Sequence, residues 1–268
     1  MRRATLPLLR CPRCLRGGLS SAAEGAELLF GPLSCRRCEA HFPVSEGVAD
    51  LSPDHPGPAG LLQRGFDLPL VARAYERSLR PLAQAALAFR RHDAQSEGLV
   101  YRSLLGSPPG PVLDLGCGTG LLARRLAREP GFPPVIGMDL SRAMLEEALA
   151  QAREHGAPVD LLRAEAPALP FQDGALGAVL HVGGLHLFPS LDTLLREVHR
   201  VLAPGGRCVA STYLPPTLRP GQWLQAGLGL YPRTEGQLQR ALEAAGLTAF
   251  ERLVLPPFIL VKAVKAVR

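Results

Sequence analysis

The sequence predicts an α/β fold preceded by a small cysteine-built module, and three observations predict it. The first is Val112-Leu113-Asp114-Leu115-Gly116-Cys117-Gly118-Thr119-Gly120, a short apolar strand that ends in glycines at alternate positions and opens a helix. The second is the repetition of strand and helix downstream, beginning with Val135-Ile136-Gly137-Met138-Asp139. The third is a pair of Cys-x-x-Cys knuckles near the start, Cys11-Pro12-Arg13-Cys14 and Cys35-Arg36-Arg37-Cys38. Strands that alternate with helices build parallel βαβ units.

The knuckles stand 20 residues apart, and four such thiolates reach the tetrahedral positions around one Zn²⁺. Iron held by the same four thiolates is the alternative metal, and disulfides are the non-metal reading. The ten residues before Cys11 are too short for a signal peptide, and no apolar run approaches the ~20 residues of a membrane span. A cytoplasmic setting, which keeps thiols reduced, is therefore expected. Four thiolates leave no open coordination position, so the expected role is structural. His41 is read as flanking the metal site.

Ser52 to Gly60 is rich in Pro and Gly and reads as a linker. Leu61 to Leu105 reads as mainly helical, with Val71, Ala74, Tyr75, Leu79 and Leu82 among its apolar positions. The organisation expected is a zinc ribbon over residues 1–55, a linker and helical wall over 56–107, and the α/β domain over 108–268.

At the glycine turn, residues without Cβ let a nucleotide-like ligand lie against the backbone, and the helix that follows turns the positive end of its dipole towards it. A dinucleotide turn needs Gly-x-Gly-x-x-Gly, but Leu121 occupies the third site. Asp114, just ahead of the glycines, would repel a pyrophosphate and suits a ligand with an ammonium group. S-adenosylmethionine (SAM) has an amino-acid tail, a sulfonium and no phosphate, so the turn favours it over NAD.

From Gly110 to Val264 the chain resembles the class I SAM-dependent methyltransferases. The resemblance implies a Rossmann-like, seven-stranded, mostly parallel sheet with helices on both faces. It places Asp114, Gly116, Cys117, Gly118 and Gly120 at the cofactor's tail. Asp139, 19 residues after Gly120, would hold the ribose hydroxyls, with Leu140 and Met144 beside it. Ser141 reads as the N-cap of the next helix. Leu161 to Phe171 resembles the adenine-contacting segment, with Glu165 in place of the family's usual Asp and Ala166 next to it. Leu194 to Gly206 matches the helix and turn before the fifth strand. Thr234 reads as a cap for a helix through Ala245, and Leu247 to Leu253 and Phe258 to Val264 as the last two strands. Cys117 and Cys208 read as packing thiols.

Methyl transfer is an in-line displacement in which orientation alone supplies about 7–11 kcal/mol, so a base is optional. A base would follow the fourth strand, in Ala178 to Phe188. His186 is the preferred catalytic candidate, and His181 is assigned to the cofactor side. No Asn-Pro-Pro-Tyr type of motif is present, which disfavours N6-adenine chemistry. The Pro-rich run from Tyr213 to Trp223 lies where the family builds acceptor lids.

The ribbon's tail, Phe42 to Leu51, resembles that of bacterial ribosomal-RNA guanine-N1 methyltransferases. The C-terminal half resembles a set of uncharacterised bacterial and plastid methyltransferases more closely. The favoured acceptor is a small, hydrophobic or quinone-like molecule. Ribosomal RNA docked on the ribbon is the rival, and an interaction protein with a vestigial SAM domain is the non-enzyme rival. The net charge is +6, with 28 of 30 basic residues Arg, and arginines cluster around the knuckles. Aromatic residues make up only 5%, with no row suited to stacking unpaired bases. No sequence signal sets an oligomeric state.

Overall fold

The computed structural model describes residues 1–55, 61–82, 94–215 and 229–267. A single mixed sheet runs through them in the order β1-β2-β3-β4-β7-β6-β5-β8-β9-β11-β10. Its centre is the strand read from the glycine motif, β5 (Val112–Leu115), every residue of which is buried. From β5 the chain moves outward on one side through β6 (Val135–Asp139) and β7 (Val159–Arg163). It then crosses back to β8 (Leu176–Val182) and β9 (Leu202–Tyr213) on the other side. All these neighbours pair in parallel. The antiparallel hairpin of β10 (Leu247–Leu255) and β11 (Phe258–Lys265) closes that side, with β11 against β9. These are the seven strands of a class I methyltransferase sheet. The direction of winding reverses between β5 and β8, where open α/β sheets leave a crevice at their carboxyl ends.

The other four strands belong to the cysteine module. β1 (Leu19–Ser20), β2 (Gly31–Cys35), β3 (His41–Ser45) and β4 (Val48–Asp50) form an antiparallel meander. β4 then pairs in parallel with β7, placing Val48, Ala49 and Asp50 opposite Leu161, Leu162 and Arg163. The ribbon thus extends the main sheet, and its Leu9, Leu33 and Leu51 belong to the same apolar core as Leu113 and Ile136.

The helices take their places by apolar spacing and caps. α1 (Leu61–Phe66), α2 (Pro69–Ala74) and a π-helical turn, Tyr75–Leu79, precede α3 (Ala94–Leu105). Of the apolar positions noted there, Leu79 and Leu82 are exposed; the buried residue of α2 is instead Ala72, packed on Ala143 and Met144. α4 (Leu121–Ala127) follows the glycine turn, and α5 (Arg142–Glu154) follows β6. Ser141 caps α5 by accepting from the Met144 amide at 3.2 Å. α6 (Asp192–Val201) and α7 (Glu235–Ala244) cover the far side, α7 held by a full capping box between Thr234 and Gln237. Pro216 to Trp223, part of the expected lid, lies outside the described residues.

Candidate functional site

Gly116, Gly118 and Gly120 have φ of +68°, +53° and +74°, where a side chain would strain the backbone. The three glycines of the motif are therefore required by the turn itself. The amides of this turn are already spent. Gly116 and Cys117 donate to the Met138 carbonyl, at 2.7 and 3.1 Å, and Gly120 donates to that of Cys117 at 2.9 Å. Gly118 donates to the Asp139 carboxylate at 2.8 Å. These four amides are therefore not available to an anion.

Beside the turn lies a cleft of about 410 Å³, open solvent included, lined by Asp114, Gly116, Cys117, Gly118, Thr119, Leu121, Leu122 and Val182 together with Tyr75 and Arg80. Asp114 is 3% exposed, and one of its oxygens accepts from the Ala123 amide at 3.2 Å. Burial, reinforced by the neighbouring Asp139 charge, pushes its carboxyl from 3.8 up to about 7. A cationic group arriving in the cleft would relieve that cost. Asp139 accepts from Gly118 and, at 2.9 Å, from Ser141; burial raises its carboxyl as well. Cys117 packs over the bare face of Gly137, where a Cβ would lie 3.0 Å from its Sγ, and burial pushes its thiol up.

Tyr75 and Arg80 border the cleft although the sequence offered no motif for them. Tyr75 sits on the π-helical turn, edge-on to Phe66 at 5.5 Å. Glu76, next to it, bonds Thr119 Oγ1 at 3.0 Å and pairs with the buried Arg124 at 2.8 Å, which clips the helical segment to the glycine turn. Arg80 is held by both oxygens of Glu97 at 2.8 Å. A surplus turn of π-helix over a cleft was the only available clue, and it is invisible without coordinates.

Among the other expected site residues, Leu140 and Met144 follow Asp139 at the foot of α5, with Met144 buried against Ala72. Glu165 and Ala166 lie just past β7, with Glu165 3.6 Å from His55. His181, the last residue but one of β8, lies beneath the turn. Its Nδ1 donates to the Leu115 carbonyl at 2.5 Å, which leaves Nε2 as a bare acceptor, buried and without a hydrogen-bond partner among the described residues. Burial holds its imidazole below the usual value. His186 sits in the short 3-10 turn Leu185–Leu187, away from the cleft lining, its ring tilted 53° against that of Tyr213 with centroids 4.6 Å apart. Burial lowers its pKa to about 4, so it is neutral at physiological pH and only a weak base.

The four cysteines of the knuckles converge. Their sulfurs all lie within 4.8 Å of one another, with Cys11 to Cys38 at 3.7 Å and Cys14 to Cys35 at 3.6 Å. A tetrahedron with Zn–S bonds of about 2.3 Å has edges of roughly 3.8 Å, whereas a disulfide is about 2.05 Å. The amides of Arg37 and Cys38 point at Cys35 Sγ, at 3.4 and 3.5 Å, in the way outer-shell donors support a thiolate ligand. His41 lies outside the cluster and bonds Ser34.

Residues 112–206 match the family model for a methyltransferase domain. The chain carries a methyltransferase domain. An uncharacterised chloroplastic methyltransferase of Arabidopsis thaliana is 28% identical over 96% of this chain and 79% of its own length. The demethylmenaquinone methyltransferase of Thermus thermophilus is 42% identical over 42% of this chain and 51% of its own length. The geranyl diphosphate C-methyltransferase of Streptomyces coelicolor, solved with S-adenosyl-L-homocysteine, superposes with a TM-score of 0.58 at 20% identity. That match covers 64% of this chain and 76% of that one. That neighbour shares the fold of this chain, and none of the described helices is long and apolar enough to cross a membrane.

Proposed function

We propose that the cleft beside the glycine turn holds SAM and that the acceptor is a small, apolar molecule. The observation that carries the cofactor reading is the turn's polarity. It offers the ligand the Asp114 carboxylate, while the four amides that could have cradled a phosphate are bonded within the protein. Asp114 faces the ammonium of the amino-acid tail, and Arg80 faces its carboxylate. Gly116, Cys117, Gly118 and Gly120 form the floor, supported from below by His181. Asp139 takes the ribose hydroxyls, flanked by Leu140 and Met144, and Glu165 with Ala166 borders the adenine.

The acceptor reading is supported by an aromatic row beside the crevice, in which the mutually tilted rings of His186, Tyr213 and Phe258 follow one another with centroids 4.6 and 5.0 Å apart. It is supported too by a relative whose name specifies demethylmenaquinone. With its low pKa, His186 serves this site as a neutral wall rather than as a strong base. The ribosomal-RNA reading is weakened at three of the arginines around the knuckles, while Arg13, Arg16, Arg36 and Arg37 stay exposed. Arg2 pairs with Asp160 at 3.0 Å, Arg3 bonds the carbonyls of Ala23 and Gly25, and Arg10 pairs with Asp173 and Glu197. These three charges serve the fold. The cysteine cluster is assigned a structural Zn²⁺ held by Cys11, Cys14, Cys35 and Cys38.

Calorimetry with S-adenosylhomocysteine (SAH) tests the reading. Wild-type protein is expected to bind one SAH per chain. Asp139→Ala removes charge-assisted bonds of about 1.5–3 kcal/mol, so its affinity should fall roughly 10- to 100-fold by the same arithmetic. A variant that binds SAH as the wild type does would refute the ribose assignment.

A further inference from the structure

The ribbon ends in a short tail, Asp50 to His55, that lies against both loops assigned to the adenosine half of the cofactor. Asp50 and Arg163 form a buried ion pair at 3.1 Å, with side chains 10% and 8% exposed. From that anchor the Arg163 guanidinium donates to three carbonyls. Two belong to the tail, Ser52 at 2.7 Å and His55 at 3.2 Å, and the third is Leu140 at 3.0 Å, directly after Asp139. The other contact is made by a side chain, His55 Nε2 to Glu165 Oε1 at 3.6 Å. One continuous piece of backbone therefore runs from the metal knuckles through β4 to the ribose loop and the adenine loop.

We propose that this tail braces the adenosine side of the cofactor site, with His55 as a positioning residue for Glu165, so that metal held by the ribbon and cofactor held by the cleft favour each other's binding. The inference rests on the assignment of Asp139 and Glu165 to adenosine. Free-energy coupling between two sites is reciprocal: if metal strengthens cofactor binding, cofactor must strengthen metal binding by the same factor.

The test uses the full chain loaded with zinc. His55→Ala removes only the side chain and leaves its carbonyl on Arg163, so zinc content and thermal midpoint should match the wild type. Its SAH affinity should fall about 3- to 10-fold. The loss should be smaller for S-inosylhomocysteine, which lacks the adenine amino group, and His55→Gln, which restores a donor, should recover part of it. Reciprocally, saturating SAH should slow zinc release to a chromogenic chelator by a similar factor, and less so in His55→Ala. If His55→Ala binds SAH as the wild type does while Glu165→Ala is weakened, the brace is refuted and the cofactor assignment stands. If SAH leaves wild-type zinc release unchanged, the coupling is refuted. If Glu165→Ala and Asp139→Ala both bind SAH normally, the cofactor assignment fails and the brace falls with it.

Discussion

The two flanks of the sheet end in different ways. Beyond β7 the edge is covered by the cysteine module, whose β3 and β4 bury Phe42, Val44 and Ala49 and whose tail ends in the Asp50–Arg163 pair. Beyond β11 the edge strand β10 is almost wholly exposed, with Leu253, Val254 and Leu255 38–42% open, and its partner strand holds it through main-chain ladders. The first flank thus joins the core through buried apolar side chains and through an ion pair that loses its balance of charge when either member is removed. The second is a hairpin at a free edge, shielded by charges such as the Lys262–Glu251 pair at 2.9 Å. Perturbation should therefore travel inward from the ribbon and stop at the hairpin.

Metal removal should break this contrast most forcefully. Zinc-finger peptides gain on the order of 10 kcal/mol from their ion. Purified protein is expected to carry about one zinc per chain, and a strong chelator should lower the thermal midpoint by many degrees, with loss of sheet signal in circular dichroism. A chelator that strips the zinc and leaves melting untouched would make the module an ornament on the sheet edge. Next in size is Arg163→Met, which leaves the buried Asp50 with only the Ser52 amide and the exposed Arg142 as partners and takes one donor from each of three carbonyls. Breaking a buried pair costs about 3–5 kcal/mol, readable as a lower urea midpoint at unchanged zinc content.

How much of this was legible beforehand depends on how local each feature is. The turn at Gly116–Gly120, the caps at Ser141 and Thr234, and the closing hairpin all declare themselves within a few residues, and the structure reproduces them. Four cysteines at ribbon spacing also proved enough to place their sulfurs together. What stayed hidden is pairing at long range. Nothing in Val48-Ala49-Asp50 says that its partner lies more than a hundred residues on, because a short apolar triplet fits many edges. Tyr75, Glu76 and Arg80 escaped for a related reason: a helical segment carries no mark of which cleft it will cover. That four amides of the glycine turn are spent inside the protein stayed hidden likewise, because Met138 and Asp139, on the neighbouring strand, accept from three of them.

Between the flanks, Asp114 should reveal itself through pH. Its folded pKa of about 7 lies above the ordinary 3.8, so over that range the folded chain holds the extra proton. The stability it confers is full below about pH 4 and is lost as the pH rises through 7. Asp114→Asn should therefore raise the thermal midpoint progressively from pH 5 to pH 8 relative to wild type. His186 slopes the other way, since its pKa near 4 lies below the ordinary 6.5, so its contribution is full above about 6.5 and lost as the pH falls towards 4. An ammonium-bearing ligand wants Asp114 ionised, so wild-type SAH affinity should rise between pH 6 and 8, and the Asn variant should be flat and weaker. A stabilised variant that keeps the rise would remove Asp114 from the ligand.

The smallest expected effect lies on the hairpin flank and sharpens the contrast because it should go no further. Thr234 accepts from the Gln237 amide at 3.3 Å, and Gln237 Oε1 accepts in return from the Thr234 amide at 2.8 Å. This box starts α7, which packs Leu238 and Leu242 inward and then leads into β10. Thr234→Ala should cost about 1 kcal/mol through the lost cap, visible as a thermal midpoint a few degrees lower. Zinc content and SAH affinity should both stay at wild-type values, since the loops assigned to the cofactor hang from β5, β6, β7 and β8. The informative comparison is with His55→Ala, which should leave the melting temperature alone and move the affinity. If Thr234→Ala weakened SAH as much as His55→Ala, the site would respond to general loosening of the sheet, and the ribbon flank would lose its claim to a privileged route.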